Sequence, residues 1–122
     1  MNLPLEYRWL QANGFDGFVP WYLIDDPGRD GLRREYQKET GEDFYPFARR
    51  QDRDDIAGIK VMDGIIQSGV ISVHLTWTGK REKDGFPTRI EYNDMFEWLK
   101  GQVIPDTAEW MSEEELTDLK NA

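Results

Sequence analysis

Cysteine is absent from the chain, which excludes disulfides, thiolate zinc sites and cysteine nucleophiles. No apolar run approaches the length needed to span a bilayer. The opening Met1-Asn2-Leu3-Pro4-Leu5-Glu6 has neither the basic nor the apolar region of a secretion signal, so the default location is cytoplasmic. Basic residues are in the minority, 15 Lys and Arg against 24 Asp and Glu, giving a formal net charge of -9. Such a field repels nucleic-acid backbones and anionic membrane surfaces, and favours basic protein partners. Phosphate cradles are missing too: no G-x-G-x-x-G occurs, and Gly79-Lys80 lacks both the hydroxyl residue after the Lys and the Gly five positions earlier, where His74 stands.

What is present points to a single domain. A chain of 122 residues is long enough to bury most of one core without staples. Aromatic residues make up 13%, with five Trp, so much of that core is expected to be aromatic. The domain assignment is residues 1–122, of which 105–122 form an acidic helical tail.

The stretch 44–61 sits at mid-chain and organises the rest. Phe44-Tyr45-Pro46-Phe47-Ala48 and Ile56-Ala57-Gly58-Ile59-Lys60-Val61 alternate as paired strands do, and residues 49–55 between them carry no apolar side chain. This is a β-hairpin with a solvated tip.

On its N-terminal side, Pro4 and Asn13-Gly14 are the start and stop signals of a short helix. Its stripe is Leu3, Tyr7 and Leu10, widened by Leu5 and Trp9. Residues 18–24 form an apolar run that Pro20 restricts to an edge or bulged strand. A weaker surface helix is expected over 32–39, capped by Asp30, with only Leu32 and Tyr36 facing inward.

On its C-terminal side, residues 63–69 read as a connection. Residues 70–78 then alternate, with Ile71, Val73, Leu75 and Trp77 opposite Ser72, His74, Thr76 and Thr78. A charged loop over 79–85 leads to a short strand ending at Tyr92. Asp94 and Glu97 have capping-box spacing ahead of a helix through Val103 that Pro105 breaks. Ser112 and Glu115 repeat that spacing in the tail. The order implies an α+β fold, a central antiparallel sheet with flanking helices on one side.

Candidate chemistry is sparse. His74, the one histidine, shares a strand face with Ser72, but side chains two residues apart run parallel about 7 Å from each other and do not form a dyad. Asp25-Asp26 and Asp52-Arg53-Asp54-Asp55 lack the Gly and distal Glu of a calcium loop, and no histidine or cysteine accompanies them. Neither a metal nor a cofactor is implied. Lys80, Arg81 and Lys83 are interrupted by Glu82 and Asp84, which argues against a phosphate-binding stripe. Most tryptophans are expected in the core, with Trp110 partly exposed.

Four of these pieces, in order, resemble the SUKH superfamily of the SMI-KNR type. The helix over 3–14 is similar to its Pro-x-x-Tyr helix ending in Asn-Gly. Phe44-Tyr45-Pro46-Phe47-Ala48, the polar tip and Ile56-Ala57-Gly58-Ile59 are similar to its Pro-Phe-Ala strand and return strand. Residues 73–78 resemble its next strand, and Met95-Phe96-Glu97-Trp98-Leu99 its Phe-x-x-Leu helix. The run over 20–24 and the acidic tail depart from the pattern. The resemblance implies a non-enzymatic role: bacterial members are immunity proteins that neutralise toxin domains, and eukaryotic relatives are regulatory interaction proteins.

The expectation is therefore a protein-binding domain whose partner is a toxin domain, basic and often a nuclease. The candidate contacts are Asp52, Asp54 and Asp55 at the hairpin tip, with Asp25, Asp26 and Trp77 beside it. Nucleic acid and membrane are not expected partners. The alternatives are a regulatory interaction module, or a small-ligand or enzymatic domain using the Ser72, His74 and Thr76 face.

Overall fold

The computed structural model describes residues 3–24, 26–111 and 120. It is an α+β fold built on a five-stranded antiparallel sheet in the order β1-β2-β3-β4-β5. The strands are β1 (Trp21–Leu23), β2 (Asp43–Arg50), β3 (Asp55–Met62), β4 (Ile65–His74) and β5 (Arg89–Tyr92). Helix α1 (Leu5–Ala12) precedes β1, and α2 (Asp26–Thr40) connects β1 to β2. After β5 come α3 (Met95–Trp98), a π-helical turn (Leu99–Val103) and α4 (Ile104–Trp110).

The central hairpin forms as expected, β2 pairing with β3 around a tip at residues 51–54. A bulge falls between Pro46 and Ala48. An extra residue there lets neighbouring side chains share a face, so Phe47 and Ala48 both enter the same core cluster. Pro20 lies just ahead of β1, an edge strand of three residues, shorter than the run over 18–24 suggests.

Helices cover both faces of the sheet rather than one. Leu32 and Tyr36 of α2 pack on Phe44, Ile56, Ile71, Val73 and Leu75. On the other face Tyr7 of α1 joins Met95, Trp98 and Val103 over Phe47, Ala57, Ile59 and Val70. The reason is visible in β3, whose Ile56-Ala57-Gly58-Ile59 is apolar on both sides of the pleat and needs cover on both. Gly58 has a specific role there. A Cβ at this position would lie 2.3 Å from Phe44 Cδ2, so its bare backbone admits the Phe44 ring, which stacks on Tyr36 with centroids 4.0 Å apart.

Helix α2 starts at Asp26, earlier than expected, and places Asp30 inside the helix. Pro27 falls in the first turn, where its missing N–H costs nothing. As expected, α2 lies on the surface with one face against the core, but that face also buries Arg29, Glu35, Glu39 and Thr40 beside Leu32 and Tyr36. Burial of those polar groups is tolerated because each is hydrogen-bonded. Arg29 Nε donates to the Pro46 carbonyl at 2.7 Å, and the Thr40 hydroxyl to the Tyr36 carbonyl at 2.7 Å. At the half-buried rim, Arg33 grips Asp43 with bonds of 2.7 and 2.6 Å.

Three further expectations change. Residues 63–69 are not a connection: Asp63 (φ 52°) and Gly64 (φ 76°) make a two-residue left-handed turn, and β4 begins at Ile65 and ends at His74. Leu5 and Trp9 do not widen the α1 stripe but stand in solvent. Pro105 does not break the C-terminal helix, which continues from Met95 to Trp110. Pro105 sits in the first turn of α4, directly after the π turn, and such a turn re-routes the hydrogen-bond ladder where a proline would otherwise interrupt it. The Asp94 cap forms, its carboxylate accepting the Glu97 N–H at 2.9 Å. Asp106 then ties α4 to the sheet, accepting from Trp21 Nε1 at 2.9 Å and pairing with Arg50 at 3.2 Å. The capping box at Ser112 lies outside the described residues.

Candidate partner-binding surface

One end of the sheet gathers most of the singled-out residues. The hairpin tip and the segment leaving β4 are neighbours there: Leu75 N–H donates to the Asp54 carbonyl at 3.1 Å, and His74 Nδ1 lies 2.8 Å from Asp55 Oδ1. Residues 75–82 then turn back across the end of α2.

That turn is held by two buried carboxylates. Glu39, 1% exposed, accepts the Thr76 N–H at 2.9 Å and the Thr76 hydroxyl at 2.6 Å on one oxygen, and the Trp77 N–H at 3.1 Å on the other. One helical turn earlier, Glu35 accepts the Gly79 N–H at 2.9 Å. The Glu39 carbonyl takes the Glu82 N–H at 3.1 Å, and the Thr78 hydroxyl donates to the Glu82 carboxylate.

The two carboxyl groups are shifted in opposite directions. A hydrogen bond to Glu39, reinforced by burial, raises Glu35 above the usual carboxylate range. Burial alone pushes Glu39 up as well, but its bonds from Glu35, Thr76 and Trp77 outweigh that and hold it below the usual range. Like charges on neighbouring carboxyls resist ionising together, so Glu39 holds its charge more readily than Glu35.

Trp77 is the product of this bracing. Its φ of 60° lies in the left-handed region, where a bulky side chain costs about 1–3 kcal/mol. The residue is 47% exposed. The turn therefore presents a large aromatic group to solvent from a backbone that Glu39 fixes.

The tip carboxylates differ in how free they are. Asp52 is gripped by Arg50 at 2.7 and 3.3 Å; slight burial raises it, but the Arg50 bonds and charge win and hold it low. Asp55 is largely buried between His74 and Arg53, the latter at 3.3 Å. Among the described residues the Asp54 carboxylate has only the loose 3.9 Å approach of Arg49 and is half exposed, which makes it the most available of the three. Asp25 lies outside the described residues. Asp26 opens α2 beside the middle of β2, since Ile24 N–H bonds the Phe47 carbonyl at 2.9 Å; it is not at the tip.

Ser72, His74 and Thr76 do not form one polar face. Ser72 is buried, exposed His74 is engaged by Asp55, and Thr76 serves Glu39. Among the described residues no group of three or more His, Asp or Glu is placed to hold a metal, and no helix is long and apolar enough to cross a membrane. A groove of about 520 Å³ lies at the base of the hairpin, between Glu42 and Met62, away from Trp77. Two of the five tryptophans, Trp21 and Trp98, are buried in the core; Trp9 and Trp77 are exposed and Trp110 is half-buried.

Glu35 and Glu39 escaped sequence reasoning, although a signal was there. Leu32, Glu35, Tyr36 and Glu39 recur at helical spacing on one face, so the acids occupy positions of the inward stripe. No protein-family model matches the chain, and neither a curated protein nor a solved structure matches it.

Proposed function

We propose that the chain is a non-enzymatic protein-binding domain of the immunity type, which docks on and neutralises a basic toxin domain in the cytoplasm. The observation that carries this reading is Trp77, an exposed tryptophan in a costly backbone conformation braced by a buried carboxylate. Strain that persists against its cost clusters at functional positions, and tryptophan is enriched among the residues that dominate binding energy. A pre-set aromatic anchor also loses little entropy on docking.

The acidic surroundings suit a basic partner. Asp54 stands beside the anchor segment with its carboxylate half free, and the net charge of -9 accelerates encounter with a cationic surface. The likeness of 44–59 to the SUKH hairpin supports the toxin as partner. Ser72 is buried, and His74 and Thr76 are turned to different carboxylates, Asp55 and Glu39, so the three do not line one ligand face.

The test is co-expression with toxin domains encoded beside this chain, followed by binding measured against salt. Growth rescue, with affinity falling between about 50 mM and about 500 mM salt, is the expected result. If every neighbouring toxin still kills and none binds, the reading fails.

A further inference from the structure

β5 pairs with β4 alone among the described strands. His74 N–H donates to the Thr88 carbonyl at 2.9 Å, and the ladder continues as Val73↔Arg89, Ser72↔Ile90, Ile71↔Glu91 and Val70↔Tyr92. Antiparallel ladders alternate hydrogen-bonded and non-bonded pairs. Thr88, Ile90 and Tyr92 therefore turn their backbone groups toward β4, and Arg89 and Glu91 turn theirs outward. Among the described residues nothing follows β5 in the sheet order, Ile90 is 53% exposed, and Arg89 and Glu91 are exposed with it.

We propose that this edge joins a second copy of the chain across a two-fold axis through Ile90. In that register Arg89 faces Glu91 of the second copy, and Glu91 faces Arg89. Both are the residues with outward backbone groups, so each facing pair exchanges both of its main-chain hydrogen bonds. The two Ile90 residues form the central non-bonded pair, where side chains approach most closely, with Cα atoms about 4.5 Å apart. Opposite charges on residues 89 and 91 make the strand complementary to itself in this one register, as an isologous interface requires.

Existing ion pairs leave room for these contacts. Arg89 uses Nη1 for both Glu42 at 2.6 Å and the Tyr36 hydroxyl at 2.9 Å, and Glu91 uses Oε1 for Lys60 at 3.0 Å. Among the described residues the remaining guanidinium donors and Glu91 Oε2 make no hydrogen bond, which leaves them for a partner strand. The charge of -9 on each copy opposes association at long range, and ions screen that term at moderate salt. A short edge buries little area, so the dimer is a weak, reversible one.

Sedimentation of the full chain at about 0.15 M salt, from about 10 µM to about 1 mM, tests it. The weight-average mass is expected to climb from 14.4 kDa toward twice that value. R89E and E91R each place like charges opposite one another and are expected to stay monomeric throughout. Mixed in equal amounts they complement each other and associate again. E91P, which removes an outward N–H but no bond to β4, is also expected to be monomeric. E91R and E91P leave the Arg89 network intact, so they decide the matter even if R89E does not fold. A wild-type mass that never rises, or E91R and E91P associating like wild type, overturns the proposal; so does a mixture of folded R89E and E91R that stays monomeric.

Discussion

Glu39 Oε2 accepts the backbone N–H of Trp77 at 3.1 Å, joining a side chain buried in α2 to an exposed aromatic at the tip end of the sheet. Because Glu39 also takes both donors of Thr76, its removal leaves several loop donors without partners. Glu39→Ala is expected to destabilise the fold by about 2–4 kcal/mol, read from urea denaturation. Glu39→Gln keeps an acceptor and is expected to cost less. A Glu39→Ala protein as stable as wild type contradicts the bracing.

The Glu35 and Glu39 pair gives stability two opposite pH slopes. Glu39, like Asp43 and Asp52, is depressed in the folded state. These groups contribute fully above their unfolded values, and their contribution is lost as pH falls through the folded ones. Glu35 is raised, so its contribution is full below the unfolded value near 4.5 and fades as pH rises through the folded value. Glu35→Gln is expected to remove the second slope and leave the first, measured as denaturation free energy at a series of pH values. A wild-type profile unchanged by Glu35→Gln contradicts a raised Glu35.

Gly58→Ala tests the packing of α2 on the hairpin. The added methyl meets the Phe44 ring at 2.3 Å, and overpacking of this kind costs about 1–3 kcal/mol. A lower melting temperature together with a weakened near-ultraviolet aromatic signal is expected, because the Tyr36 and Phe44 stack has to shift.

The parts of this fold legible in the sequence are those set by local pattern. Alternation across 44–61, Pro20 at an edge and the Asp94 cap all stand where the sequence places them. The Asp63-Gly64 turn was equally local, a strong two-residue hairpin signal obscured by the apolar Ile65-Ile66 after it. What pattern alone does not reveal is tertiary. Glu35 and Glu39 look like solvated charges until the turn at 76–79 supplies their donors, and Pro105 looks like a terminator until a π turn accommodates it. At the candidate surface the tip aspartates and Trp77 could be named from sequence, but not which carboxylates arginine already holds.

The central claim is that Trp77 is kept exposed for a partner. Trp77→Gly is the variant that separates binding from folding, because glycine adopts a φ of 60° without strain while gaining unfolded-state entropy. Measured side by side, its denaturation free energy is expected to stay within about 1 kcal/mol of wild type, while affinity for the neutralised toxin domain falls at least about 30-fold. Equal affinity of Trp77→Gly and wild type for that toxin contradicts the claim.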